Sequence, residues 1–278
     1  MTKARNSIDV DAIIALAARL TARDYQILQL LAEHRIATTS IIAAIFFTNR
    51  RRAAARLHDL TELGLITHGR VTGSGAHRYT LAWAGAAVCA LRNGTTPPTR
   101  AAVAIAAQQT FHSAHRPHKE GVNAFLAHLH LAARATGTAR VTEWLPEAKA
   151  AAQIINARPD AAATLTWNDG RTLRLWYEHD RGTETIAHLV DKIHRYRDGR
   201  LPGLLGDRLL LFGLPARQRL EALQRACPHT RDLTVAATVT VPLPTADTLY
   251  DSGTGILTGP RWTLLTNGQP TSLAALAD

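Results

Sequence analysis

The residues best suited to chemistry lie between Arg158 and Tyr196: Pro159-Asp160, the run Glu178-His179-Asp180, and Lys192. Asn168-Asp169-Gly170 separates two β-prone runs, and residues of this kind tolerate the positive φ that tight hairpin turns require. Asp160 and Glu178 are therefore expected on adjacent antiparallel strands. In the second strand Trp176, Glu178 and Asp180 share one face by the period of two. Carboxylates crowded on one face repel one another unless a cation lies between them. An all-oxygen donor set suits Mg²⁺ or Mn²⁺, with Asp160 and Glu178 as ligands and Asp180 as a third ligand or an orienting group. Such an ion would polarise a phosphate and lower the pKa of a bound water. His179 is expected to point away from the acidic face. Thr183-Glu184 reads as the cap of a helix whose apolar stripe is Ile186, Leu189, Val190 and Ile193, with Lys192 at its edge.

Several elements have to position these groups. The spacing predicts a helix from Glu120 to Ala135 that buries Val122, Phe125, Leu126 and Leu129, then a strand from Arg140 to Leu145 ended by Pro146. The Pro-Asp strand, the hairpin and the Lys192 helix follow. After them come a buried strand over Asp207–Gly213, a helix over Pro215–Cys227 with Arg217 and Arg219 exposed, and a strand over Thr234–Val241. The order is α-β-β-β-α-β-α-β, with a further edge hairpin near Trp262. His112, His115 and His118 recur every three residues, but Pro117 interrupts any helix that would align them, and a polar turn is expected instead. His128 and His130 diverge on a helix, so they form no paired site.

The N-terminal part reads differently. A basic tail before Ser7 precedes a short amphipathic helix over Asp9–Leu20. Thr21 with Asp24 forms a near capping box opening a second helix, and Ile36–Thr39 is a break before a third through Ile41 and Phe46. Thr48-Asn49 starts a helix with Arg50, Arg51, Arg52, Arg56 and His58 on its polar side and Ala54, Leu57, Leu60 and Leu63 on its apolar side; Gly64 ends it. A β-hairpin with a glycine-rich tip at 72–75 carries Arg70, His77 and Arg78, and a helix from Trp83 to Leu91 closes the domain. Helices and hairpin in this order resemble a winged helix-turn-helix. The Arg-rich helix would enter the major groove and the hairpin would lie against the backbone or the minor groove, so the expected DNA contacts are Asn49, Arg50, Arg51, Arg52, Arg56, Arg70, His77 and Arg78, mostly to phosphate. Gly, Thr and paired Pro place a linker at 93–110, between domains at 1–92 and 111–278.

Pro159-Asp160, Glu178 and the surrounding element order resemble the PD-(D/E)xK nuclease superfamily. Together with the winged half, the chain resembles the actinobacterial replication-relaxation family of plasmids and integrative elements. The resemblance implies an α+β protein with a winged helix-turn-helix domain followed by a restriction-endonuclease-like domain. Asp180 stands where that motif has Lys, and some superfamily members carry the Lys on the next helix, which makes Lys192 the candidate. The superfamily's occasional helix carboxylate corresponds to Glu120. The implied catalytic set is Asp160, Glu178, Asp180 and Lys192, and the implied metal set is Asp160, Glu178, Asp180 and Glu120.

Composition fits a nucleic-acid partner. The 278 residues suffice for two cores, 46% are apolar, and the formal net charge of +10 with a pI near 10.4 attracts polyanions. Cys89 and Cys227 lack zinc or disulfide spacing, and no signal stretch or spanning run is visible, so a cytoplasmic protein without a membrane partner is expected. Two readings stand: a metal-dependent endonuclease or nickase at an origin in replication or transfer, and a non-catalytic initiator or repressor with a degenerate nuclease fold. Tyr177 and Tyr196 are weaker candidates for a covalent nucleophile. Double-stranded DNA is the expected partner, and a homodimer and other replication or transfer proteins remain open.

Overall fold

The computed structural model describes residues 10–71, 74–199, 208–227, 233–243 and 254–277. The expected basic tail and part of the glycine-rich hairpin tip lie outside them. The architecture is α+β and divides into two compact units, Met1–Arg116 and Pro117–Asp278. This division falls later than the linker expected at 93–110. Residues 94–99 are irregular, but the helix that follows them packs within the first unit.

In the first unit, α1 (Val10–Ala17) and α2 (Ala22–His34) precede β1 (Ala37–Thr38), α3 (Thr39–Phe46), α4 (Arg50–Glu62), the hairpin β2 (Ile66–Val71) and β3 (Ser74–Leu81), α5 (Trp83–Arg92) and α6 (Arg100–His112). The break expected at Ile36–Thr39 is a short strand, Ala37 pairing with Tyr79, which makes a three-stranded sheet of order β1-β3-β2. Thr38 also caps α3, its hydroxyl accepting the Ile41 N–H at 3.2 Å. Ile27, Leu28 and Leu31 of α2, Ile41 and Ile42 of α3, and Leu57 and Leu60 of α4 are all buried, with α3 in contact with both α2 and α4. Helix, strand, helix, helix and hairpin in this order is the arrangement of a winged helix-turn-helix.

The second unit opens with α7 (Arg116–Thr136), four residues earlier than expected. Pro117 lies in its first turn, where a missing N–H leaves no hydrogen bond unmade. Then come β4 (Ala139–Pro146), α8 (Glu147–Ala151), β5 (Ala161–Trp167), β6 (Thr172–His179), α9 (Ile186–Gly199), β7 (Arg208–Leu214), α10 (Arg217–Ala226), β8 (Val235–Val239), β9 (Trp262–Leu264) and β10 (Pro270–Thr271). The sheet order is β10-β9-β8-β7-β6-β5-β4. β4, β5 and β6 form an antiparallel meander, whereas β6, β7 and β8 are parallel and so need the helical crossovers α9 and α10. The turn between β5 and β6 works because Gly170 takes φ +92, open to glycine without strain. Leu173, Leu175 and Tyr177 of β6 bury against Val122, Phe125 and Leu129 of α7. Trp176 on the opposite face packs with Leu189, Ile193 and Tyr196 of α9. No helix among the described residues is long and apolar enough to cross a membrane.

One ion pair ties the first unit together. Asp24, fully buried, completes the expected capping box with Thr21 and also receives Arg56 of α4 in a bidentate pair at 2.7 and 2.8 Å. Burial alone would raise the Asp24 carboxyl, but Arg56 and Thr21 outweigh it and hold it below the usual 3.8. A depressed carboxylate pKa contributes stability above its unfolded value and loses it as pH falls through the folded one. Arg56→Ala is therefore expected to cost about 2 kcal/mol near neutral pH, with the deficit shrinking as the medium becomes acid enough to protonate Asp24. Thermal unfolding across a pH series measures it.

Candidate functional site

The hairpin sets the geometry. Ala161 pairs with Tyr177, which brings Asp160, just before β5, opposite Glu178 near the end of β6. Glu178 occupies the next position after Trp176 on the face covered by α9, and its side chain is 4% exposed. α9 supplies the compensation. Lys192 Nζ donates to Glu178 Oε2 at 2.9 Å, and the Tyr196 hydroxyl donates to Oε1. Glu184, just before α9, holds the same ammonium at 3.0 Å, while Thr185 rather than Thr183 caps the helix by accepting the His188 N–H at 3.2 Å.

Asp160 is held from two sides. His118 Nε2 of α7 lies 2.9 Å from Oδ1, and the backbone N–H of His179 donates to Oδ2 at 2.8 Å. The His179 ring points away from the acidic face, as its strand position dictates, and meets Tyr177 at 3.2 Å. A Cβ on Gly121 would fall 2.0 Å from that ring, so α7 can approach the strand only because glycine stands there.

Electrostatics follow from this packing. Burial first, and then the neighbouring Asp160 charge, push the Glu178 carboxyl up to about 7, against the pull of Lys192 and Tyr196. Burial alone would lower Lys192, but Glu178 and Glu184 outweigh it and raise it. Asp160 raises His118, whereas burial brings His179 down to about 4, so that ring is neutral. A cleft of about 490 Å³ opens beside Glu178, Lys192 and Tyr196, and Arg158 and Arg195 line it.

The other expected residues are placed differently. Asp180 lies beyond the end of β6 and is buried in an ion pair with Arg219 of α10, whose Nη2 is 3.1 Å from Oδ1. Asp180 therefore serves to hold the loop after β6, and Arg219, expected to be exposed, is its partner. Glu120 is half-buried on α7, where the side chain that reaches Asp160 is His118. Among the described residues no group of three or more His, Cys, Asp or Glu side chains is arranged to hold a metal. Glu120 and Asp180 thus complete no cage. Asp160 and Glu178 remain as a carboxylate pair, which fits an ion such as Mg²⁺ that takes one or two carboxylates and fills its shell with water and phosphate. Tyr177 is buried in a stack on Phe125 at 3.8 Å, and Tyr196 is buried on Glu178, so neither presents a nucleophile. Sequence reasoning missed His118 as a site residue, because only the docking of α7 brings it to Asp160.

In the winged unit the expected DNA contacts divide. Asn49 caps α4, accepting the N–H groups of Arg51 and Arg52 at 2.8 and 3.3 Å, and Arg56 is committed to Asp24. Arg78 is buried, with Nη1 donating to the Ala76 carbonyl at 3.1 Å. Each of these three is explained by folding. Arg50 is half-buried, while Arg51 and Arg52 are exposed on α4. Arg70 on the hairpin is exposed, with Nε 3.2 Å from His77 Nε2.

Tyr196→Phe removes one of the donors that stabilise the Glu178 anion, so the Glu178 pKa is expected to move above about 7. A carboxyl whose folded pKa lies above its unfolded value loses stability as pH rises through that pKa. The variant should therefore keep wild-type stability in acid and fall behind on the alkaline side, as read by side-chain carboxyl NMR and thermal unfolding.

No curated protein and no solved structure matches the chain. A match to the replication-relaxation family runs over residues 28–203 of the 278, from within α2 to just past α9, and takes in Asp160, Glu178 and Lys192. The chain belongs to the replication-relaxation family.

Proposed function

We propose that this protein binds double-stranded DNA through its winged unit and cleaves one strand with a metal ion held by Asp160 and Glu178, in the replication or relaxation of a plasmid or integrative element. The observation that carries the reading is Lys192, which comes from the following helix to lie 2.9 Å from Glu178, while Asp160, one residue before the Ala161–Tyr177 pair, is near enough for its charge to act on that carboxyl. This is the set of groups that phosphodiester hydrolysis needs: two carboxylates for a cation and an ammonium for the charge that grows on the phosphate.

A bound Mg²⁺ or Mn²⁺ would polarise the scissile phosphate and acidify a water. Tyr196 fixes the orientation of Glu178, and the His179 N–H fixes Asp160. Lys192 already carries a proton to donate toward a phosphate oxygen. Arg158 and Arg195 line the adjacent cleft and would draw the DNA backbone to it. In the winged unit Arg51 and Arg52 on α4, with Arg70 on the hairpin, are the exposed groups suited to phosphate.

One observation favours the second reading, a non-catalytic initiator or repressor. Every oxygen of Asp160, Glu178 and Asp180 already accepts a hydrogen bond or ion pair from the protein. Incubation of supercoiled plasmid carrying the cognate origin with Mg²⁺ or Mn²⁺ separates the two. Nicked circles are expected with the wild type and not with Asp160→Ala, Glu178→Ala or Lys192→Ala. The rate should rise with pH through about 7, because Glu178 must ionise to hold the cation. Tight origin binding without nicking would establish the second reading, and activity surviving in both carboxylate variants would remove the site. Arg51→Ala and Arg52→Ala should each weaken duplex binding across sequences and lower the salt dependence by about one released counterion.

A further inference from the structure

We propose that the first unit carries a second nucleic-acid site, a groove that takes a short stretch of single-stranded DNA. The groove has a volume of about 510 Å³ and lies between the β2–β3 hairpin and α6. His68, Arg70, Arg100 and Arg116 line it, and no Asp or Glu is among its lining residues. A cleft lined by one sign of charge concentrates ligands of the opposite sign.

Its walls are suited to bases as well as phosphates. The Arg100 guanidinium lies 3.7 Å from the centre of the Trp83 ring. The indole is locked in turn by its N–H, which donates to the Pro98 carbonyl at 3.0 Å. Stacked in this way, guanidinium and indole form a planar, cationic platform of the kind on which unpaired bases pile. Phe111 makes another wall and lies so close to β2 that a Cβ on Gly69 would come within 3.2 Å of its ring. Arg116 is steadied by donating from Nη1 to the Phe111 carbonyl at 2.8 Å.

Size decides against a duplex. A cleft of this volume is in the range of pockets for small ligands, roughly 300–1,000 Å³, and is of a size for one or two nucleotides rather than for a double helix, whose major groove alone is about 12 Å wide. Neither Arg51 nor Arg52 of α4 is among the lining residues, Arg70 being the one group shared with the proposed duplex surface, and the inference does not depend on cleavage in the second unit. It supplies a place for a strand exposed where the duplex opens.

The test uses the full chain and a fluorescent oligo-dT of about 15 nucleotides, read by anisotropy. Arg100→Ala should weaken oligo-dT binding about tenfold, the loss expected of one stacking contact, and leave affinity for a duplex unchanged. Arg52→Ala should show the opposite pattern. A strand carrying 5-iododeoxyuridine should photocrosslink to Trp83 or Phe111 in the wild type, a readout that does not rely on any variant folding. Unchanged oligo-dT affinity in Arg100→Ala, equal losses for single strand and duplex, or a crosslink confined to α4 would overturn the proposal. Displacement of the strand by an equal concentration of ATP would also overturn it and assign the groove to a free nucleotide.

Discussion

A carboxylate buried between a sheet and a helix governs the second unit. Glu178 is set by strand alternation among apolar side chains, and an ionised acid there is tolerable only if donors meet both oxygens. Lys192 and Tyr196 do so, one turn apart on α9, while Ile193 between them packs on the sheet. The register of α9 against β6 is therefore tied to the charge: sliding the helix by a residue would take the ammonium and the hydroxyl away from the buried acid. The same constraint leaves the carboxyl near the middle of the pH scale.

The neighbouring loop is anchored by a second, separate pair. Asp180 with Arg219 joins the end of β6 to α10, and Arg219 also donates to the Glu184 carbonyl just before α9. Asp180 thus shapes the approach to α9 rather than adding a third oxygen to the site. His179 divides its two functions, its N–H holding Asp160 and its ring filling the contact with α7 at Gly121.

The winged unit sorts its arginines in the same physical way. Arg56 answers a buried aspartate and Arg78 is itself buried, so their charge is spent inside the fold. Arg51, Arg52, Arg70 and Arg100 remain exposed, and an excess of such groups over acids is what a polyanion would meet. Arg51 and Arg52 belong to α4, the helix proposed to meet the duplex, whereas Arg100 belongs to α6.

Much of this was legible in the chain, because it rests on local rules. The period of two and the Asn-Asp-Gly turn put Asp160 opposite Glu178, Thr21 and Asp24 announced a capping box, and the helical stripe located α9 with Lys192 at its edge. The element order of both units follows from the same periodicities. What tertiary structure decided were the partners of charges. Strand alternation allowed Asp180 to share the face of Glu178, but Arg219 arrives from a helix far along the chain and takes it away. Helical spacing made Arg56 look like a DNA contact until Asp24, thirty-two residues earlier, claimed it. His118 looked like part of a polar turn until α7 docked beside Asp160. A sequence determines which face a side chain occupies through short-range geometry, whereas the group it meets there depends on long-range packing that no local period encodes.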